Sequence, residues 1–157
     1  MLPARSLGCG RILRLGIGTV ISSVLPMKSL PKIGISGEFQ FVVEEKHVID
    51  FATDGMPAVL STPTLIGLLE RTARQTLAPF LEADERSVGS EVELRHFAPT
   101  PIGQTVLCTA RVIQVEAKAV TFQIEARDQH ELIARGLNKR AIIRVSSFAG
   151  RVERKKT

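Results

Sequence analysis

Tryptophan and tyrosine are missing altogether from this 157-residue chain, and aromatic residues make up only 4% of it. Surfaces that stack nucleobases are built from such side chains, so a nucleic-acid partner is not expected. Cysteine is nearly absent as well. Cys9 and Cys108 cannot build a disulfide framework. The three histidines, His47, His96 and His130, lie far apart with no ligand-like spacing, so neither a metal site nor a cofactor is expected. Acidic residues are missing from the first 26 positions, which carry Arg5, Arg11 and Arg14. That segment accounts for much of the net charge of +5, and the remainder is close to balanced. Nothing in it demands a polyanionic partner. The apolar run Leu15–Leu25 is too short to span a bilayer, so no membrane partner is expected.

What is present is the profile of one globular domain: 44% hydrophobic and 24% charged residues, in a chain long enough for a core and short for two domains. The beginning departs from that profile. Residues 1–36 combine an arginine-bearing head, the short apolar run, Pro26 and Pro31, and Gly34, with no core-forming period. They read as a disordered or targeting-like extension, upstream of a domain over 37–157. The expected compartment is the cytoplasm, with an organelle or export as the alternative if residues 1–26 are a targeting segment.

From Gly37 the pattern is regular. "EFQFVVEE" alternates and is rich in Phe and Val, as in a strand. In "STPTLIGLLERTARQTLAPFL", Leu65, Ile66, Leu69, Ala73, Leu77 and Phe80 recur at helical spacing. Ser61 or Thr62 can cap this helix, Pro63 suits its first turn, and the helix is expected over about 62–80. Four strand-like runs follow. In the first, "SVGSEVELRHF", alternation puts Val88, Val92, Leu94 and His96 on one face. "QTVLCTARVIQVE" and "AVTFQIEARD" are joined by a hairpin-length connection, "HELIARGLNKRAIIRVSS" supplies the last strand, and "GRVERKKT" reads as a basic tail. The order strand, helix, four strands with short connections implies an α+β fold in which one helix covers an antiparallel sheet. Cys108 falls within a strand-like run, where a buried thiol is expected.

Several residues in this stretch carry chemistry, and each also has a plain reading. Thr62 beside Pro63 can be an N-cap. Glu70 stands four residues before Arg74 and can form a surface pair with it. His96 shares a strand face with Val92 and Leu94, the setting of an ordinary core histidine. Gly89 can mark a strand bulge.

Taken together, "VLSTPTLIGLLE", "LAPFLEADERSVGSEVELRHFAPTPIG" and "GLNKRAIIRV" resemble the hotdog-fold thioesterases of the fluoroacetyl-CoA thioesterase-like group, over residues 37 to about 155. The resemblance implies a long central helix wrapped by an antiparallel sheet. It also implies hydrolysis of a small or medium acyl-CoA thioester, and a homodimer or dimer of dimers with sites at the interface. It assigns the catalytic set to Thr62, Glu70 and His96 and places Gly89 near the acyl carbonyl. Met56, in "TDGMPAVL", stands near the group's aromatic gate, and Asn138 stands where the group often has His. Arg140, among the basic residues Lys139, Arg144 and Arg151, is a candidate for CoA phosphates.

The chemistry is consistent with that inventory. Thioester hydrolysis needs a nucleophile or activated water, a proton shuttle and donors for an oxyanion. A His supplies the shuttle, a Glu its partner or the base, and a hydroxyl attacks or positions the substrate. Thr62 and Glu70 lie roughly 12 Å apart along a helix rising 1.5 Å per residue, so they cannot touch through it. Either the chain bends back before Pro63 or two protomers share the site. A hotdog dehydratase or hydratase and a non-catalytic acyl-CoA binder are the alternatives.

Overall fold

The computed structural model describes residues 27–156. The sheet is built from β1 (Ser36–Val42), β2 (Glu85–His96), β3 (Thr105–Glu116), β4 (Ala119–Arg127) and β5 (Leu132–Arg144). Its strand order is β1-β3-β4-β5-β2, with every neighbouring pair antiparallel. One long helix, α1 (Thr62–Leu77), packs on the inner face against β1, β2, β3 and β4. This is the expected α+β hotdog arrangement. Among the described residues no helix is long and apolar enough to cross a membrane.

Helix α1 forms where its sequence supplies both a cap and an apolar stripe. Ser61 accepts a hydrogen bond from the Thr64 N–H at 3.3 Å, and Pro63 sits in the first turn. Leu65, Leu69, Ala73 and Leu77 are fully buried, one above another at helical spacing. They meet Val106, Cys108 and Ala110 of β3 and Phe122 and Ile124 of β4, the inward positions of alternating strands. Truncating Leu69 to Ala in such a core costs about 2–5 kcal/mol. Ile66, expected in this stripe, is only half-buried, whereas Thr72 is buried. Thr72 is tolerated there because its hydroxyl donates to the Leu68 carbonyl at 2.9 Å. The α-helix ends at Leu77 rather than at residue 80, since Pro79 has no N–H to donate, and Ala78–Phe80 tighten into a 3-10 turn.

Three expectations are corrected here. The fold begins before residue 37: Met27 is buried in the core, Gly34 donates to the Val112 carbonyl at 2.8 Å, and Val112 donates to Ile35. Residues 1–26 of the expected extension lie outside the described residues. The last strand ends at Arg144 rather than running through Ser147, and residues 145–149 with the start of the basic tail form α2 (Val145–Glu153), which contacts β5. The third correction concerns β2, whose pairing with β5 shifts register between Gly89 and Glu91. Simple alternation put Val88 with Val92, Leu94 and His96. The bulge changes the parity. Gly89 pairs with buried Arg140, Val92 with buried Asn138 and His96 with buried Ala134, so Gly89 and His96 share the inner face and Val88 takes the other.

Candidate active site

Because Ser61 caps α1, the hydroxyl of Thr62 is not spent on the backbone. Its Oγ1 lies 2.9 Å from Nδ1 of His96, the last residue of β2. The other ring nitrogen, Nε2, is buried and makes no hydrogen bond to a described residue. Burial pushes the His96 pKa below its ordinary value of 6.5, with a backbone contact at Ala98 acting in the opposite direction. The imidazole is therefore held toward its neutral form. The pair opens on a cavity of about 240 Å³ lined by Val59, Leu60, Phe97, Ala98 and Pro99.

Glu70 belongs to a second cluster. Asn138 Nδ2 donates to its Oε1 at 3.2 Å, and Arg140 Nη1 approaches the same oxygen at 3.5 Å. The carboxylate lies over Gly89, where a Cβ would collide with Glu70 Oε1. Glycine thus permits this close approach, and a larger residue would push the carboxylate aside. Glu70 takes Asn138 and Arg140 as partners, not the Arg74 that helical spacing offers. Asn138 reaches Glu70 because β5 alternates, placing Asn138, Arg140 and Ile142 inward. A cavity of about 340 Å³, lined by Gly67, Glu70, Arg71, Arg74 and Arg140, opens beside the cluster.

Arg140 is not an exposed cation awaiting a phosphate. Only 4% of it is accessible, and its guanidinium donates to Ser87 Oγ and the Ser87 carbonyl, both at 3.0 Å. It also donates to the Glu70 carbonyl at 3.3 Å and to Asn138 Oδ1 at 3.4 Å. Burial lowers its pKa, and the charge of Glu70 acts against that. Lys139 and Arg144 are likewise committed, to Glu116 at 3.2 Å and Asp84 at 2.8 Å. Met56 lies in an exposed loop, 43% accessible, away from both clusters' cavity walls. Neither Ser87 nor the buried role of Arg140 stands out in the sequence. The signal available was the two-residue spacing of Asn138, Arg140 and Ile142, which marks one strand face.

Within one chain the two clusters stay apart. Eight helical residues separate Thr62 from Glu70, roughly 12 Å at 1.5 Å per residue. Along β2, Gly89 and His96 are separated by roughly 20 Å at about 3.3 Å per residue. Among the described residues no hydrogen bond links Thr62 or His96 to Glu70. The structure therefore brings Thr62 to His96, and Glu70 to Gly89, Asn138 and Arg140.

The sequence family described as fluoroacetyl-CoA-specific thioesterase matches residues 43–146. A fluoroacetyl-CoA thioesterase of Streptantibioticus cattleyicolor is 34% identical over 99 residues, covering 63% of this chain and 71% of that protein. The solved structure of the fluoroacetyl-CoA thioesterase FlK superposes with a TM-score of 0.74 at 30% identity, covering 81% of this chain and 98% of the other. A thioesterase superfamily member from Thermus thermophilus superposes with a TM-score of 0.73 at 28% identity, covering 80% and 93%. With two thirds of its length inside the family match and a thioesterase fold around the Thr62–His96 and Glu70 clusters, the chain belongs to the fluoroacetyl-CoA-specific thioesterase family.

Proposed function

We propose that the protein hydrolyses acyl-CoA thioesters at a site that joins the Thr62–His96 pair of one protomer to the Glu70 cluster of a second. The observation that carries this reading is the 2.9 Å contact between Thr62 Oγ1 and His96 Nδ1. A neutral imidazole with its proton on Nε2 leaves Nδ1 free to accept the Thr62 proton. Thr62 Oγ1 then attacks the thioester carbonyl, and the N-terminus of α1 is a source of donors for the oxyanion. The C–S bond breaks, His96 returns the proton to the CoA sulfur, and an acyl group stays on Thr62. Glu70 of the partner subunit takes a proton from water as the water attacks that acyl ester. The bond from the acyl carbon to Thr62 Oγ1 breaks, the partner subunit's Glu70 passes the proton it took from water to that oxygen, and the acid product leaves, losing its own proton to solvent. Apolar walls at Val59, Leu60 and Phe97 suit a small or medium acyl group rather than a charged one.

A homodimer supplies the missing proximity. Among the described residues β2 is a twelve-residue edge strand, paired with β5 on one side only. An unpaired edge of this length is a template for another strand. Two copies of β2 pairing antiparallel about a two-fold axis at Glu93, with the bulge residue counted out of the register, set His96 opposite Gly89 of the partner subunit. Directly opposite residues share a face, and the bulge after Gly89 puts both on the inner one.

The test is release of free thiol from acetyl-CoA, longer acyl-CoAs and aryl-CoAs by wild type, His96→Ala and Glu70→Gln. Loss of release in both variants supports the reading. Absence of thiol release from every substrate by wild type overturns it, and hydration of an enoyl-CoA in its place identifies the hydratase alternative.

A further inference from the structure

We infer that Arg140 is a positioning residue for catalysis: it holds the Glu70 carboxylate in its working orientation through a buried fork anchored on Ser87. This inference rests on the function proposed above, because Glu70 is the group through which Arg140 acts.

The geometry sets Arg140 apart from the other basic residues of β5. Its guanidinium has one edge fixed from below. Nε donates to Ser87 Oγ and Nη2 to the Ser87 carbonyl, each at 3.0 Å, in the bidentate form a planar fork allows. The third nitrogen, Nη1, points at Glu70 and is shared among three acceptors: the Glu70 carbonyl at 3.3 Å, Glu70 Oε1 at 3.5 Å and Asn138 Oδ1 at 3.4 Å. Asn138 completes the ring. Its Nδ2 donates to Glu70 Oε1 at 3.2 Å and to the Glu91 carbonyl at 3.2 Å. Helix α1, β2 and β5 therefore meet at one buried cation.

The consequence for Glu70 is an orientation, not merely a neighbour. Its Oε1 is occupied by Asn138 and Arg140 and rests over Gly89. Its side chain still keeps 33% of its surface accessible, beside the cavity lined by Arg71 and Arg74. One oxygen is clamped, which leaves the other to face water or an acyl group. A purely structural charge pair would not need both the helix carbonyl and the carboxylate of the same residue. Arg140 grips both, so it fixes the backbone and the side chain of Glu70 together.

A lysine cannot replace this fork. It carries the charge as a single point and cannot hold Ser87 and Glu70 at once in the same planar geometry. A misplacement of a catalytic group by about 1 Å costs roughly 100-fold in rate.

The experiment is a double-substitution cycle at residues 140 and 70, read in kcat and KM for an acyl-CoA that wild type hydrolyses, with melting temperature recorded for every variant. Arg140→Met is expected to lower kcat by roughly 10–100-fold with little change in KM. Arg140→Lys is expected to fold like wild type and remain well below it in kcat. In a Glu70→Gln background, Arg140→Met should lower kcat no further, since the group it positions is already disabled. Guanidinium ion added to Arg140→Met should restore part of the lost rate, and added ammonium should not. If Arg140→Met does not fold, the cycle is run with Arg140→Lys. Wild-type kcat in the Lys variant, or full additivity with Glu70→Gln, overturns the inference. Activity in Glu70→Gln equal to wild type instead overturns the function on which it rests.

Discussion

Thr62 Oγ1 and His96 Nδ1 lie 2.9 Å apart across a sequence separation of 34 residues, one at the start of α1 and the other at the end of edge strand β2. The contact exists because Ser61, not Thr62, caps the helix. Two adjacent hydroxyl residues thus have separable duties. Ser61→Ala should lower stability by about 1 kcal/mol, the usual cost of a lost cap, with kcat largely kept. Thr62→Ala should show the reverse, a large fall in kcat with a nearly unchanged melting curve. His96→Ala should lower kcat by roughly 10²–10⁴-fold. Equal thermal and kinetic effects of the two hydroxyl substitutions would contradict this division.

Burial holds the His96 pKa below 6.5, so the imidazole stays neutral and able to accept a proton into mildly acidic solution. The acid limb of the kcat/KM profile should accordingly fall below pH 6.5, and a limb above it would count against His96 as the base. Stability follows the same sign. The unfolded chain binds the proton more readily than the native one, so the His96 contribution is fully present above the unfolded value near 6.5. It is lost as pH falls through the lower folded value. Melting temperatures of wild type and His96→Gln should therefore converge or cross on acidification, with wild type losing more.

Gly89 has no room for a methyl group, since its Cβ would meet Glu70 Oε1. Gly89→Ala should displace the carboxylate and lower kcat by roughly 100-fold. Residue 89 lies on an edge strand, where the backbone can adjust, so the folded state should persist by circular dichroism. Retention of wild-type kcat in a folded Gly89→Ala protein would show that the position of Glu70 over Gly89 is unimportant.

A site shared between protomers predicts complementation. His96→Ala and Glu70→Gln homodimers should each be nearly inactive. Unfolded together and refolded as a mixture, they should form heterodimers with one intact site, recovering about a quarter of wild-type activity by random pairing. Recovery should be absent if Thr62, His96 and Glu70 act from a single chain. Sedimentation of wild type should show a dimer, and a proline placed mid-edge in β2 should give inactive monomer.

Cys108, buried on β3 against α1, has its thiol pKa pushed up to about 12 by desolvation. In a Cys9→Ser background, a thiol reagent at neutral pH should label it only on unfolding. Rapid labelling of the native protein would mean that the core around β3 opens far more readily than its packing implies.

The apolar period of α1, the alternation of β3 and β4, and the short connections between strands are local properties of the chain. A helix or strand must bury one face, and the spacing of Leu65, Leu69, Ala73 and Leu77 states which face that is. By itself the sequence therefore determined the architecture. Through the resemblance of its motifs to a thioesterase group it also singled out Thr62, Glu70 and His96. It could not determine which partners those residues take, because partners are chosen by parity and register between distant segments. One extra residue between Gly89 and Glu91 turned Gly89 inward and Val88 outward, and alternation carries no trace of such a bulge. Arg140 read as a surface cation because charge alone does not reveal burial. Only the pairing of β5 with β2 placed its guanidinium over Ser87 and under Glu70, where several acceptors together offset the cost of desolvating it.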